Sequence, residues 1–388
     1  MKNYHSKTRV SERARHISPF MVMEVLEKAH ELESMGRHII HLEIGEPDFP
    51  TPECIREGAI KAIRDGHTHY THSLGIIELR EVICEHYSEK YGVEVGPDQV
   101  LITSGTSPAL FMIFSVLLEA GNEVIISNPH YPCYPNFVKF SGAKPIFVNV
   151  REEEGFQYRP REIEDKLGPL TRAILINSPS NPTGNLLSPQ RMEAIADLKP
   201  HILSDEIYHG LVYEEKEHSI LEYTDKAFVL NGFSKAYAMT GWRLGYIISP
   251  PEFVRALQTM QQNFFICAAS VSQWAGVAAL KEAAPDVERM KSIYNERRTY
   301  MIKRLRQIGF GLTVEPAGAF YILVNAKHLS TDSYDLAFEI LERAGVGVCP
   351  GIDFGQNAEG YLRFSYANSL SNIEEGLNRI EKYLGTLP

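Results

Sequence analysis

A lysine between two short apolar segments is the most reactive candidate in this sequence. Ala227–Leu230 and Leu244–Ile248 are each typical of a buried strand, and the segment between them carries Ser234, Lys235 and Arg243. A lysine at the end of a buried strand is placed to lose its proton and attack a carbonyl carbon as a free amine. A solvated lysine on a loop is the simpler interpretation, and the Ser-Lys pair alone does not decide between them.

An acidic residue and a glycine-containing turn offer two further chemical groups. Asp205 lies just after the apolar segment His201–Leu203, although an acidic pair in such a place more often caps a helix. Ser104–Pro108 lies between a predicted strand and a predicted helix, and consecutive amides at a helix N-terminus bind anions. This turn is not a Walker motif, because no Gly-Lys-Ser/Thr follows it.

The whole lysine segment, AFVLNGFSKAYAMTGWRLGY at residues 227–246, resembles one known family. It is similar to the lysine segment of class I/II pyridoxal-phosphate-dependent aminotransferases, the aspartate-aminotransferase-like superfamily of fold type I. The resemblance extends from about residue 11 to the final helix and is densest at 177–184, 205–208, 234–245 and 361–368. It implies an aminotransferase that moves an amino group from an L-amino acid to a 2-oxo acid through a pyridoxal 5'-phosphate Schiff base on Lys235.

The resemblance also implies the other cofactor contacts, residue by residue. Asp205 is expected to hold the protonated pyridine nitrogen, which makes the ring an electron sink. Tyr208 and Asn181 are expected to share the ring oxygen, and Tyr131 to stack on the ring; the tyrosine is otherwise an ordinary core residue. The remaining expected contacts, most of them to the phosphate, are Gly105, Thr106, Ser107, Ser234, Lys235 and Arg243.

Substrate binding and assembly follow from the same resemblance. Arg363 is expected to hold the substrate α-carboxylate through a bidentate fork, with Asn181 and the backbone of Gly45 completing the clamp. The alternative for an arginine in an apolar segment is a structural salt bridge. Tyr70 resembles a tyrosine that reaches the phosphate of the neighbouring subunit. The expected active unit is therefore a homodimer with two shared sites.

The expected side-chain pocket lacks a cation. Its candidates are Phe20, Met21, Val22, Ser107 and Tyr131, whereas acid-preferring relatives often carry a lysine after the phosphate-loop glycines. A substrate carboxylate without a partner would lose its solvation, while an apolar side chain gains about 25 cal/mol per Å² buried. We therefore expect a neutral donor such as alanine, methionine or an aromatic amino acid, with 2-oxoglutarate or pyruvate as acceptor.

Two other functions stay open at this point, and a third is disfavoured. The cofactor motifs serve β-elimination, C–S lyase and cyclase chemistry equally well. An aspartate-preferring aminotransferase requires an additional cation, which Arg15 could supply by swinging into the pocket. A ligand-sensing regulator requires a DNA-binding module, and only about 20 residues precede the first family-like helix, too few for a folded unit.

A histidine-rich segment raises the question of a metal site. His67, His69 and His72 are spaced at i, i+2 and i+5, which places them on no common helical face. We expect a polar loop here and no metal ion.

The predicted helices and strands indicate where the loops that carry the candidate site residues meet. From about Gln99 short apolar strands alternate with helices, a pattern that predicts an α/β fold with a mostly parallel sheet and ligand chemistry at the strand ends. The expected organisation is fold type I: a large domain at 46–285 with a central sheet flanked by helices, and a small α+β domain at 1–45 and 286–388. The predicted helices include Pro19–Gly36, Pro52–Asp65, Ile76–Tyr91, Ser107–Glu119, Tyr334–Arg343 and Ile373–Leu384.

Composition excludes several classes of protein. The formal net charge of −10 disfavours a nucleic-acid-binding surface. No apolar run approaches the roughly 20 residues of a membrane helix, and Met1–Arg15 lacks the apolar core of a secretory signal. Five scattered cysteines favour reduced thiols over a disulfide framework. We therefore expect a cytoplasmic protein.

Overall fold

A computed structural model of the protein describes residues 10–386. Most of the basic start at Met1–Arg15, where no secretory signal is expected, lies outside the described residues. Within residues 10–386, no helix is both long and apolar enough to span a bilayer.

The helices are α1 (Glu12–Arg15), α2 (Met21–Ser34), α3 (Glu53–Arg64), α4 (Ile77–Tyr91), α5 (Thr106–Leu117), α6 (Cys133–Phe140), α7 (Pro160–Glu164), α8 (Pro189–Ala196), α9 (Pro251–Phe264), α10 (Ser270–Glu282), α11 (Ala284–Ile308), α12 (Ser333–Glu339) and α13 (Leu370–Leu384). Local sequence explains several of their ends. The Ser188 hydroxyl accepts a hydrogen bond from the Arg191 amide at the start of α8. Gly92, in the left-handed region at φ 69°, ends α4.

The strands are β1 (Ile40–His41), β2 (Val100–Thr103), β3 (Glu123–Asn128), β4 (Lys144–Asn149), β5 (Thr171–Asn177), β6 (His201–Asp205), β7 (Ala227–Gly232), β8 (Gly245–Ile248), β9 (Tyr321–Asn325), β10 (Val346–Gly347), β11 (Cys349–Pro350) and β12 (Tyr361–Ser365). Seven of them form one sheet in the order β2-β8-β7-β6-β5-β3-β4. All its neighbouring pairs are parallel except those of β8, which is antiparallel to both β2 and β7. The predicted mostly parallel α/β sheet is confirmed.

Apolar side chains cover both faces of this sheet. Consecutive residues of one strand belong to different core clusters: Ile102 and Val229 lie in one, and Leu101 and Phe228 in the other. Since side chains alternate across a strand, the two clusters are the two faces of the sheet. This double burial explains why the strands read as continuous apolar runs.

A second, three-stranded antiparallel sheet has the order β11-β12-β9. Its core contains Tyr294 of α11, Phe364 of β12 and Leu377 of α13. β1 pairs in parallel with β10, so the segment just before the large sheet joins the elements near the end of the chain. The division into domains at residues 45 and 285 stays a prediction.

The sheet register brings three of the predicted loops to one edge. Asn177 at the end of β5 pairs with Asp205 at the end of β6, and Asp205 pairs with Leu230 near the end of β7. The chain segments that follow these strands therefore leave the sheet side by side. This edge forms one wall of the candidate site.

Candidate active site

A cavity of about 450 Å³ lies at the carboxyl ends of the strands, between the two sheets. It collects most of the residues that the sequence singled out. The predicted site residues that line it are Gly45, Thr106, Ser107, Tyr131, Asn181, Asp205, Tyr208, Ser234, Lys235, Arg243 and Arg363.

Lys235 is placed at the centre of this cavity by the connection between β7 and β8. Its Nζ donates a hydrogen bond to the Gly45 carbonyl oxygen at 2.6 Å. Burial lowers the pKa of Lys235 to about 8; the charges of Arg363 and Arg243 act in the same direction, and Glu46 opposes them. The neutral amine, the form that a nucleophile requires, is therefore more accessible near neutral pH than in a solvated lysine.

Asp205 is held at the end of β6 by two hydrogen bonds. The Tyr134 hydroxyl donates to Oδ2 at 2.7 Å, and the Ile207 amide donates to Oδ1 at 3.2 Å. Burial raises the pKa of Asp205 to about 6, and the bond from Tyr134 opposes this shift. A buried carboxylate of this kind is stabilised by any cation placed against it.

A glycine-containing turn lies at the start of α5. Gly105 has a φ of 92°, and a Cβ at this position would lie 2.7 Å from a guanidinium nitrogen of Arg243. Arg243 itself adopts the left-handed region at φ 49°, a conformation that costs a non-glycine residue about 1 kcal/mol or more. The chain thus brings an arginine against the first amides of a helix, a combination suited to a phosphate group.

Arg363, in the middle of β12, is only 2% exposed. Its guanidinium donates to Asn181 Oδ1 at 3.0 Å, to the Glu43 carbonyl oxygen at 2.6 Å and to Cys349 Sγ at 2.9 Å. None of these acceptors is a carboxylate, and its buried Nε has no hydrogen-bond partner within residues 10–386. The predicted alternative of a structural salt bridge is therefore absent from the described part of the chain. A buried cation in this state favours an external carboxylate.

Two tyrosines of this site were not singled out in the sequence. Tyr321 of β9 shares a hydrogen bond with Tyr208 across 3.0 Å between the two hydroxyl oxygens, and its ring centroid lies 4.3 Å from the Arg363 Cζ atom. Tyr134 binds Asp205 as described above. In the sequence, Tyr134 is marked only by its position three residues after Tyr131. Tyr321 is marked only as an aromatic residue in an apolar strand.

Aromatic and apolar side chains form the remaining wall. The rings of Phe20 and Tyr131 meet edge to face, with centroids 6.0 Å apart, and Tyr131 packs likewise on Tyr134 at 5.3 Å. Val22, Met23 and Leu26 of α2 line the cavity beside Phe20. Met21, which was expected in this wall, is not among the lining residues.

Other predicted residues lie outside the cavity. Tyr70 is 84% exposed, and Arg15 lies in α1, where its nearest acidic group is Glu12 at 3.8 Å. The ring of His67 lies 4.5 Å from that of Trp274. Across residues 10–386, no group of three or more potential ligands is placed to hold a metal ion.

Comparison with known proteins connects this geometry to one family. A family model described as aminotransferase class I and II matches residues 37–380. The chain is 44% identical to a (5-formylfuran-3-yl)methyl phosphate transaminase of Methanocaldococcus jannaschii, over 97% of this chain and 99% of that protein. It is 39% identical to an aspartate aminotransferase of Pyrococcus horikoshii, over 97% of each chain.

A solved structure shows the same fold. A Methanococcus jannaschii protein, described as similar in its active site to kynurenine aminotransferases, superimposes with a TM-score of 0.90 at 43% identity. The match covers 97% of this chain and all of that one.

Proposed function

Since this chain belongs to the class I and II aminotransferases and is therefore a transaminase, we propose that it binds pyridoxal 5'-phosphate at Lys235 and takes its amino group from a neutral, apolar L-amino acid. The proposed acceptor is a 2-oxo acid, 2-oxoglutarate or pyruvate. The observation that carries the choice of donor is the charge of the cavity. Each cation that lines it already has a role in holding the cofactor or the α-carboxylate.

The residues present fit this cofactor. The turn at Gly105, which a Cβ would obstruct, and Arg243 would hold the phosphate. Asp205 would hold the ring nitrogen, Asn181 and Tyr208 the ring oxygen, and Tyr131 one face of the ring. When bound, the cofactor supplies an aldehyde that takes up the amino group and a ring that withdraws electrons from the substrate α carbon.

The protein's own residues then account for orientation and proton transfer. Arg363 fixes the α-carboxylate, since its fork is buried and its Nε is unpaired in the described part of the chain. Lys235 Nζ, with its pKa lowered to about 8, takes the proton from the α carbon as a free base. Asp205 would keep its negative charge against a cationic ring nitrogen, which would stabilise negative charge that develops at the α carbon.

The donor side chain then meets mostly apolar surface. The cations that line the cavity are Lys235, Arg243 and Arg363, whereas Glu43 and Glu46 add acidic groups. A second substrate carboxylate would lose its solvation without finding a cation, at a cost of several kcal/mol. The side-chain wall consists of Phe20, Val22, Met23, Leu26, Leu110 and Tyr131. Burial of an apolar or aromatic donor side chain against this wall stabilises the bound donor.

Two relatives suggest other substrates by name. The furan phosphate and the aspartate in these names each carry an anionic group that, if buried in this cavity, would need an additional cation. Within the described residues, none lines the cavity beyond the three already assigned. To bind either of these substrates, the cavity would need a further cation, either Arg15 or an arginine or lysine of a partner subunit. The apolar donor is the proposal that requires no such group.

A homodimer is part of this proposal. Tyr70 is 84% exposed, and its hydroxyl makes no hydrogen bond within residues 10–386. Its loop is bound to the connection between α9 and α10, where the Thr71 amide approaches Cys267 Sγ at 3.5 Å. Phe264, the last residue of α9, and Ile266 on the connection are exposed as well, at 61% and 48%. A second copy of the chain would cover this surface and receive Tyr70 in its own phosphate site.

A donor panel tests the proposed substrate. The conversion of the bound cofactor to its amino form is followed by absorbance in a single turnover with alanine, methionine, phenylalanine and aspartate. We expect at least one neutral donor to react about tenfold faster than aspartate. A faster reaction with aspartate than with every neutral donor would contradict the substrate assignment and leave the transaminase assignment intact.

A further inference from the structure

Asp353 caps a helix that lies more than 300 residues away in the sequence. It belongs to the short turn Gly351–Phe354 and is 8% exposed. Its Oδ1 accepts a hydrogen bond from the Met21 amide at 3.0 Å, and its Oδ2 accepts one from the Val22 amide at 3.3 Å. These are the first two amides of α2, and Phe20 before them provides no side-chain cap. Asp353 therefore supplies the acceptors that this helix start lacks.

The start of α2 is part of the substrate side-chain wall. Phe20 and Val22 line the cavity, and Phe20 makes the edge-to-face contact with Tyr131. Val22 also packs in a small apolar cluster with Phe354, the residue that follows Asp353. The Phe354 ring lies 4.9 Å from the Arg363 Cζ atom. One turn thus supports both the carboxylate-binding arginine and the apolar wall.

A second pair of bonds fixes the chain just before α2. The Ser18 amide donates to Asn136 Oδ1 at 3.1 Å, and Asn136 Nδ2 donates to the Ser18 carbonyl oxygen at 3.2 Å. Asn136 lies in α6, which packs against the seven-stranded sheet, whereas Asp353 follows β11 of the three-stranded sheet. The segment 18–22 is therefore held from both sides of the cavity. The position of Phe20 depends on both attachments.

We propose that Asp353 is a positioning residue for donor selectivity: by binding the first amides of α2, it holds Phe20 and Val22 against the side chain of large apolar donors. This inference rests on the proposed function for the identity of the donors. Without the carboxylate, the first turn of α2 loses its acceptors and the wall loses its fixed position. A large donor then loses contacts that a small donor never makes.

Steady-state kinetics with phenylalanine and alanine test this role. For Asp353→Ala we expect KM for phenylalanine to rise about tenfold, while KM for alanine changes less than about threefold and kcat changes little for either. Asp353→Asn keeps one side-chain acceptor and should recover part of the phenylalanine KM. Cofactor retention, measured by absorbance after gel filtration, should equal that of the wild type.

Ser188→Ala is the matched control, because it removes an acceptor at the start of α8, a helix that contributes no residue to the cavity lining. It should change Tm without changing the ratio of the two KM values. An equal rise in KM for both donors, or an unchanged ratio in Asp353→Ala, would overturn the proposal. If Asp353→Ala does not fold, the ratio measured with Asp353→Asn decides. The donor panel on the wild-type protein tests the proposed function separately. The change in the ratio of the two KM values can be measured whichever donor the wild type prefers.

Discussion

The hydroxyl of Tyr134 lies 2.7 Å from Asp205 Oδ2, and both residues are buried. The tyrosine lies three residues after Tyr131, so in the proposed site the segment that would cover one face of the cofactor ring also orients the acid that would hold the ring nitrogen. The hydrogen bond lowers the pKa of Asp205 against the opposing effect of burial. It thereby favours the charged carboxylate that the proposed chemistry needs.

Because of this contact, we expect substitutions of Asp205 and Tyr134 to lower kcat by different factors. Asp205→Asn removes the negative charge, and we expect kcat to fall by on the order of a thousandfold, because charge stabilisation of the reacting carbon is lost. Tyr134→Phe keeps the carboxylate and removes one donor, so a loss of about tenfold is expected. Steady-state rates of the two purified variants give the comparison. Equal losses would show that Tyr134 has a role beyond its bond to Asp205.

The pH dependence of cofactor attachment reports on Lys235. Its pKa is lowered to about 8, so the amine is protonated below that pH and free to attack above it. The rate of covalent attachment to cofactor-free protein should rise with pH, with its midpoint near pH 8, and level off about one pH unit higher. Stopped-flow absorbance after mixing with pyridoxal 5'-phosphate measures this rate. Lys235→Ala should show no covalent adduct after borohydride reduction. A midpoint near 10.5 in the wild type would mean that the lysine is solvated.

Arg363 should affect all donors alike. Arg363→Lys keeps the charge and loses the bidentate fork, so kcat/KM should fall by about a hundredfold. Because the α-carboxylate is common to every amino acid, the factor should be the same for alanine and phenylalanine. This uniform loss differs from the selective loss expected for Asp353→Ala. A loss restricted to one donor would place Arg363 in the side-chain pocket.

Mixed dimers test whether Tyr70 acts in the partner's site. Tyr70→Phe and Lys235→Ala proteins are unfolded together and refolded, so that heterodimers form. If Tyr70 reaches across, each heterodimer has one site with both changes and one site with neither. Cofactor retention per intact lysine should then exceed that of the Tyr70→Phe homodimer. Retention equal to the weighted mean of the two homodimers would exclude the shared site.

The strand pattern predicted the large sheet well, and one strand direction poorly. β2 lies where that pattern begins, because Val100–Thr103 is a continuous apolar run with polar or glycine-containing flanks. The antiparallel direction of β8 was not predicted. Residues 233–244 between β7 and β8 form two short turns, at 234–237 and Thr240–Trp242, and contain no helix of the kind that usually carries a parallel crossover.

Residues that act across long sequence distances were harder to predict. Met21 was expected in the pocket, whereas Met23 and Leu26 line it, because α2 begins at Met21 and its orientation depends on Asp353. The helix predicted at Tyr334–Arg343 ends at Glu339 and continues as a wider π turn, Ile340–Ala344. Tyr321 lies in an apolar strand, where an aromatic residue is more often core, and only its contacts with Tyr208 and Arg363 reveal its place.

Lys235 stands on the connection between two directly paired strands, and Gly232 and Gly245 face each other where that connection begins and ends. Arg363 belongs to the other sheet. Lys235 and Arg363, which the proposed function assigns to one substrate, are thus carried by two separate sheets, and within residues 10–386 no strand pairing joins these sheets. Because the α-carboxylate and the α-amino group of an amino acid share one carbon, the spacing between the two sheets at the cavity must match the same short span for every donor.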